Sequence, residues 1–470
     1  MRTFGTSLLF LALTSCALAP APEREDVRKQ AMPNTVVPAQ WTAASGATSA
    51  VTNDWLAAFG DPQLDALVKE AIVYNTDLRA AAARVDQAAG YLQASGAILY
   101  PQVNLLARGG GKGGGDASGL QGVGFFANWE LDLWGRVRAG QAFARMQYES
   151  AQLDAEYARQ SIAALVAKGW FLAIEARLQR AQALAMLQSA EQLATLAGDR
   201  LRVGRGDEFD VTVARANIEA YRDTERSLDL AYQQAVRSLE TVVGRYPAGA
   251  LAIADRLDAL PGGVPVGLPA ELLERRPDVV AAERRVAGAF YRTEEAKAAR
   301  LPRITLTGTV TSISSELFVL KNTDNPMFSL GASLLQPIFL GGQLQAQVDV
   351  RTAEQLAAVA DYGRVGTRAF SEVENALSSG FSLAQREEVL VRAVRENTRA
   401  VELANVRVRV GSGDLRGVQQ QQLALYSAQV ALLRVQSERL VQRVNLHLAL
   451  GGSFDLPVAT VTSDVSSRPH

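Results

Sequence analysis

The feature that most constrains this chain is an internal repeat, because its second half follows the order of motifs in its first half. An Asn-Thr-Asp-Leu segment at 75–78 is matched by Arg-Pro-Asp-Val at 276–279, and each opens an alanine-rich stretch. The further matched pairs are 100–103 with 301–304, 132–135 with 338–341, 201–207 with 408–414, and 239–244 with 446–451. The offset stays between 201 and 207 residues. Self-similarity at a fixed spacing is the mark of a repeated structural unit, so we predict two units of about 200 residues with the same order of elements.

Two long stretches of the chain contain no proline, and each predicts very long helices because proline breaks helix interiors. The gaps run from Pro101 to Pro247 and from Pro337 to Pro457. A first helix is expected over about 136–203 and its counterpart over about 343–410, each roughly 100 Å long. Both end at a glycine-bearing turn, and shorter helices follow over about 207–243 and 414–450. Each repeat therefore offers a helical hairpin.

The last of these helices carries two apolar stripes. One contains Leu425 and Leu432, and the other contains Leu433 and Leu440. Two stripes suit a helix with neighbours on both sides, as in the wall of a cylinder, whereas a two-stranded coiled coil needs only one. An isolated coiled-coil scaffold is the alternative interpretation.

Four segments between the helices alternate apolar with small polar residues. The clearest is 303–311, where Ile304, Leu306 and Val310 alternate with threonines, and the others are 103–108, 123–133 and 328–334. Alternation with a period of two over about ten residues is typical of transmembrane β-strands. A membrane sheet must close so that no edge stays unpaired, and the smallest closed barrels use about eight strands. If these four strands enter a membrane, the barrel must be shared between chains.

Composition excludes several classes of protein. The formal net charge is -1, which argues against nucleic-acid binding. The chain has two histidines, His447 and His470, and one cysteine, Cys16. Metal centres and Cys/His catalysis need clusters that this inventory does not supply, so we expect no enzyme activity, metal or cofactor.

The amino terminus is predicted to be a lipoprotein signal peptide, residues 1–15. A short apolar run at 7–13 leads into Leu13-Thr14-Ser15-Cys16, which resembles a bacterial lipobox. The alternative is an ordinary signal peptide with an incidental cysteine. The resemblance implies cleavage before Cys16, a diacylglycerol on its thiol and an acyl group on its new amino terminus. Several acyl chains would give a stable anchor, and residues 16–53, which contain four prolines, are expected to form an extended tether.

Motifs spread from Trp55 to Gly452 resemble one known family. They are 61–64 (Asp-Pro-Gln-Leu), 130–136 (Glu-Leu-Asp-Leu-Trp-Gly-Arg), 275–279 (Arg-Arg-Pro-Asp-Val) and 336–339 (Gln-Pro-Ile-Phe). In order and spacing they resemble the TolC-like outer-membrane efflux proteins, in particular the NodT or OprM-like lipoprotein branch.

That resemblance implies a mainly α fold with a small β part. Three copies would form a twelve-stranded outer-membrane β-barrel, continued by long helical hairpins as a periplasmic tunnel. The implied partners are a periplasmic adaptor, an inner-membrane pump of the resistance-nodulation-division type, and outer-membrane lipids, with no nucleic acid. The implied function is a passive exit duct for drugs or other small toxic compounds. An exit duct for type I protein secretion and a non-channel periplasmic scaffold are the alternatives.

The predicted domains are repeats at 54–250 and 251–456, with β-hairpins at about 101–134 and 302–340, and a flexible tail at 457–470. The two interhelical turns would lie at the periplasmic entrance if the family topology holds. Residues that would line or close this entrance are Arg205, Asp207, Arg409, Asp414 and Arg416. Plain helix capping and solvated charge are the alternative for the aspartates. Gly417 departs from the family pattern after the second turn, and glycine inside a helix costs roughly 1 kcal/mol relative to alanine.

Overall fold

Two uninterrupted helices of 67 residues dominate the computed structural model, which describes residues 19–43, 51, 53–108, 121–314 and 327–454. They span Arg136–Arg202 and Gln343–Arg409, which confirms the prediction made from the proline-free stretches. The helices in the described ranges are α1 (Arg24–Ala31), α2 (Pro62–Tyr74), α3 (Thr76–Ala97), α4 (Arg136–Arg202), α5 (Glu208–Val243), α6 (Leu272–Arg275), α7 (Pro277–Ala298), α8 (Gln343–Arg409) and α9 (Leu415–Ala449). The strands are β1 (Gln102–Arg108), β2 (Gln121–Leu131), β3 (Arg303–Ser314) and β4 (Met327–Leu335).

The order of elements occurs twice along the chain. A 22-residue helix, two strands, a 67-residue helix and a shorter helix appear as α3-β1-β2-α4-α5 and again as α7-β3-β4-α8-α9. The strand boundaries differ from the predicted ones by a few residues. The largest difference is at β3, which continues three residues past the predicted end to Ser314, whereas β2 ends at Leu131, two residues before its predicted end, because Asp132 caps the next helix. Its carboxylate accepts the backbone N–H groups of Val137 and Arg138 at 3.0 and 2.9 Å.

The chain divides into two compact units. One, the sheet unit, contains Ala81–Ala155 and Asp278–Thr367 together with the described residues up to Thr35. It holds all four described strands, which form one antiparallel sheet in the order β1-β2-β3-β4. The other, the helical unit, contains Val36–Ala80, Glu156–Pro277 and the described residues from Arg368 onward.

The main hydrophobic core lies in the helical unit. Trp55, Trp170 and Phe171 are its largest aromatic members and are almost completely buried among leucine, valine and alanine side chains. The indole N–H of Trp170 donates to Asp61 Oδ2 at 2.6 Å, so this buried ring also satisfies its polar atom. Asp61 is in addition the N-cap of α2, where its Oδ1 accepts from the backbone of Gln63 and Leu64. One carboxylate thus positions both a helix start and the central tryptophan.

The amino-terminal segment is not the fully extended tether that was predicted. In the sheet unit, helix α1 buries Val27, and Arg24 forms an ion pair with Glu283 at 2.8 Å. The carbonyl oxygen of Ala31 lies so close to Gly363 that a side chain there would collide with it. The apolar side chains of this segment bury surface that an extended tether would leave in water.

A second docked part of the same segment lies in the helical unit. Trp41 is 4% exposed, and its indole N–H donates to the carbonyl of Val266 at 3.0 Å. The carboxylate of Glu374 accepts the backbone N–H groups of Thr42 and Ala43 at 2.8 and 2.9 Å. The signal peptide, Cys16 and the tail at 457–470 lie outside the described residues.

Candidate functional site: the interhelical turns and the two-faced sheet

The two turns that join the long and short helices, in the helical unit, share one local design. Gly204 and Gly411 adopt left-handed backbone angles, with φ of 72° and 80°, and each ends a long helix. The next residue donates its N–H to a carbonyl five positions back, from Arg205 to Arg200 and from Ser412 to Arg407. This is the Schellman ending, for which glycine is favoured.

The two predicted aspartates cap the helices that follow these turns. Asp207 accepts the N–H of Asp210 at 2.8 Å, and Asp414 accepts the N–H of Gly417 at 2.7 Å. Both carboxylates also remain exposed. Capping was the alternative considered for these residues, and the structure shows it. Their exposure leaves the negative charge accessible at each turn.

Of the three predicted arginines, Arg416 joins the two hairpins. Its Nε lies 3.3 Å from Asp210 Oδ1, with the geometry of an ion pair and not of a directed hydrogen bond. Its guanidinium also lies 5.2 Å above the ring of Phe209, a cation–π distance. Arg205 and Arg409 are exposed, and neither has an ion pair within the part of the chain that the structure describes.

Sequence reasoning missed Asp210 and Phe209 as members of this site. The repeat contained the signal, because Phe209 and Arg416 occupy equivalent positions after the two turns. A second equivalent pair, Thr212 and Gln419, follows three residues later in each repeat. The Gly417 that departs from the family pattern occupies the position equivalent to Asp210. Without a side chain beyond Cα, it brings its N–H to the Asp414 carboxylate, where an added Cβ would lie 3.1 Å from Oδ1.

Apolar packing and amide contacts support the ion pair. Leu193, Ala197, Val211, Leu415 and Val418 form a small core contributed by both hairpins. Polar contacts continue along the same helices, with Asn217 donating to Gln419 at 3.2 Å and Gln422 to Ser189 at 2.7 Å. The two hairpins are therefore held together by a small apolar core and by polar contacts that are individually weak.

The sheet unit presents a second candidate site, because the strand register separates its side chains by polarity. Directly paired residues point to the same side of a sheet, and the pairs Phe125–Val310 and Val310–Phe328 run across three strands. The full apolar face consists of Val103, Leu105 and Ala107 of β1; Val123, Phe125, Ala127, Trp129 and Leu131 of β2; Ile304, Leu306, Gly308 and Val310 of β3; and Phe328, Leu330, Ala332 and Leu334 of β4.

The opposite face is mostly polar and uncharged. Its centre is the threonine row of β3, Thr305, Thr307, Thr309 and Thr311, flanked by Ser329, Ser333, Asn104 and Asn128. The apolar exceptions are Leu106, Phe126, Met327 and Leu335, and the charged residues Glu130 and Arg303 on this face lie toward the strand ends. Large side chains of the apolar face are left in the open: Leu330 is 94% and Phe328 is 74% exposed. An uncovered apolar face of this extent marks a surface that contacts lipid or protein.

The strand ends are fixed to the adjoining helices and to the connections that lead from helix to strand. Trp129 donates its indole N–H to the carbonyl of Leu99 at 2.9 Å, and Trp134 donates to that of Pro302 at 2.6 Å. Glu130 and Arg136 form a bidentate pair at 2.9 and 2.8 Å, so the 130–136 motif stabilises the junction between strand β2 and helix α4.

Among the described residues, no helix combines the length and apolarity needed to cross a bilayer, and no group of three metal-ligating side chains comes together.

Comparison with known proteins gives consistent matches over nearly the whole chain. The model of the family described as outer membrane efflux protein matches twice, over residues 67–245 and 268–452. The pyoverdine export outer membrane protein OpmQ of Pseudomonas aeruginosa is 30% identical over 97% of both chains. The cation efflux system protein CusC of Escherichia coli K12 is 29% identical over 94% of this chain and 97% of its own. The solved outer-membrane channel OprN is 27% identical with a TM-score of 0.84, covering 93% of this chain and 99% of its own.

Proposed function

This chain belongs to the outer membrane efflux protein family and is an outer-membrane efflux channel, and we propose that three copies of it form the passive exit duct of a tripartite efflux system. The other components are a periplasmic adaptor and an inner-membrane pump of the resistance-nodulation-division type. The duct itself performs no chemistry.

The observation that carries the trimer is the four-stranded sheet. Its outer strands β1 and β4 each have one edge without a strand partner among the described residues. Open sheet edges are not tolerated in the hydrocarbon region of a membrane, because their N–H and C=O groups would have no partner. Three copies supply twelve strands, enough to close a barrel whose apolar face meets lipid and whose threonine face lines the pore.

We propose that Cys16 carries the lipid anchor, with a diacylglycerol on its thiol and an acyl group on its amino terminus. Helix α1 begins at Arg24 and is docked in the sheet unit, so only a short length of chain separates the anchor from a fixed point. The docked segment would therefore limit how far the lipid can lie from the sheet unit.

The turns are proposed as the periplasmic entrance. The exposed Asp207 and Asp414 carboxylates and the exposed Arg205 and Arg409 would repeat three times around the opening. Arg416 would hold the closed state through its contacts with Asp210 and Phe209. Charged rings of this kind set the selectivity of pores.

The cargo is proposed to consist of small molecules. Relatives of similar identity are named for pyoverdine export and for cation efflux, so one duct architecture serves chemically different cargo. That pattern favours selection by the pump over selection by the duct. Export of folded or unfolded protein, as in type I secretion, stays the alternative, and the substrates that accumulate in a deletion strain would distinguish the two.

A matched pair of substitutions tests the barrel. Leu330 and Ser329 are neighbours in β4 that point to opposite faces of the sheet. Leu330→Arg would place a charge against lipid at a cost of about 2–4 kcal/mol per chain near the bilayer midplane, whereas Ser329→Arg would face the aqueous pore. We expect native mass spectrometry of detergent extracts to show an acylated trimer for the unmodified chain and for Ser329→Arg. The yield of trimer should fall sharply for Leu330→Arg.

Planar-bilayer recordings complete the test. Extracts of the unmodified chain should form conducting trimers, and Ser329→Arg should shift the reversal potential toward anion selectivity. A monomer that does not conduct, or equal tolerance of both substitutions, would contradict the proposed barrel and favour a periplasmic scaffold.

A further inference from the structure

A groove of about 660 Å3 in the sheet unit is lined by residues that belong neither to the strands nor to the interhelical turns. It runs between α3 and α4 and reaches α7 at one end. Tyr91 of α3 and Ile98, the residue after the end of α3, form one wall, and Val137 and Ala144 of α4 form the other. Small side chains keep the space open on the α4 side, where Gly140 has no Cβ. The volume is within the range that holds drug-sized molecules.

The charge of the groove is not balanced. Two of its three arginines already have carboxylate partners: Arg136 pairs with Glu130 at 2.8 Å, and Arg292 with Glu295 at 3.1 Å. Arg292 also stacks on the ring of Phe143 at 4.6 Å. Arg84 is exposed and has no ion pair within the described ranges of the chain. One positive charge is thus left at the groove without a carboxylate.

The free charge and the free aromatic ring lie on the same face of α3. Arg84 and Tyr91 are seven residues apart, two helical turns or roughly 10 Å along the axis. Tyr91 is 65% exposed and offers a flat apolar surface. Gln87 lies between them and also lines the groove, where its amide can form hydrogen bonds.

We infer that this groove binds a rigid apolar molecule that carries one anionic group, with the apolar body against Tyr91 and the anion at Arg84. An arginine and a carboxylate or sulfonate form a charge-assisted pair of well-defined geometry. A cation would meet the uncompensated charge of Arg84 and be repelled. The assignment of the bound molecule as cargo depends on the proposed function, whereas the binding itself does not.

The test uses 2-naphthoate, a flat apolar body with one carboxylate, and its uncharged analogue 2-naphthamide. Binding to the full-length protein in detergent is measured by isothermal titration calorimetry. We expect Arg84→Gln and Tyr91→Ala each to weaken naphthoate binding at least tenfold. Arg145→Gln, which removes an exposed arginine of α4 outside the groove, should leave it unchanged. Naphthamide should bind at least tenfold more weakly than naphthoate.

Absence of naphthoate binding, equal affinity in Arg84→Gln, or equal affinity for naphthamide would overturn the assignment. Bilayer conductance of the same samples separates this inference from the proposed function. Loss of binding with conductance retained in Arg84→Gln supports the groove. Failure of the unmodified protein to conduct would contradict the channel proposal and leave the binding result standing by itself.

Discussion

His447 gives the prediction that can be worked out most fully from the structure. It lies near the end of α9, is 5% exposed, and stacks on Trp55 with ring centroids 5.7 Å apart and planes 14° from parallel. Its Nδ1 has no hydrogen-bond partner. Burial, and secondarily the positive charge of Arg443 one turn earlier, lower the pKa of His447 from 6.5 to about 4.

The lowered pKa makes the packing around Trp55 sensitive to acid. At pH 7.5 the imidazole is almost entirely neutral in both the folded and the locally opened state, so the contribution to stability is nearly fully present. Between pH 6.5 and pH 4 the opened state takes up a proton that the folded state excludes, and stability falls as the pH falls. From pH 7.5 to pH 5 the loss is about 2 kcal/mol, or about thirtyfold in the opening equilibrium.

Hydrogen exchange of the backbone amides from 446 to 452 measures this opening directly. Rates at pH 7.5 and pH 5 are corrected for the intrinsic pH dependence of exchange, and the protection factors are compared. His447→Phe is the matched variant, because it keeps a flat ring against Trp55 and removes the titration. We expect protection of these amides to fall about thirtyfold in the unmodified chain and to stay nearly constant in the variant. An equal fall in both proteins, or none in the unmodified chain, would refute the assignment of the acid sensitivity to His447.

Two further predictions concern the turns and the docked amino-terminal segment. Arg416→Gln removes an ion pair and a ring contact worth about 0.5–1 kcal/mol each at such exposed sites, so the open probability of single channels should rise several-fold. Restoration of closure by the double exchange Asp210→Arg with Arg416→Asp would confirm the pairing. Unchanged gating in Arg416→Gln would contradict it. Trp41→Ala empties a buried site at a cost of about 3–5 kcal/mol, so limited proteolysis should cut the segment around residue 41 much faster. The control variant Val36→Ala, at a position that is 90% exposed, should be cut at the original rate. Equal cleavage rates in the two variants would argue against the docked segment.

Much of the architecture was predictable because it depends on local pattern. The proline-free stretches predicted the long helices α4 and α8 to within one residue of their observed ends, since helix continuity is decided by each residue in turn. The glycines at 204 and 411 predicted the turns, because left-handed backbone angles favour glycine. Alternation predicted the strands, and the repeat predicted their order.

The functional contacts were less accessible, because they join segments far apart in the sequence. The carboxylate that pairs with Arg416 belongs to the other hairpin, more than 200 residues away, and a residue-by-residue pattern does not specify such a partner. The same holds for the carbonyl of Val266 and the carboxylate of Glu374 that hold the segment around Trp41.

By itself, the sequence determined which residues are helical, which alternate and where the chain turns, because these properties follow from backbone propensity and period. Only the tertiary structure decided the pairing register that gathers the apolar residues of four strands on one face. It alone also decided the unbalanced charge of Arg84 and the burial of His447 against Trp55. Each of these depends on which distant side chains come within a few ångströms, and packing of the whole chain sets that distance.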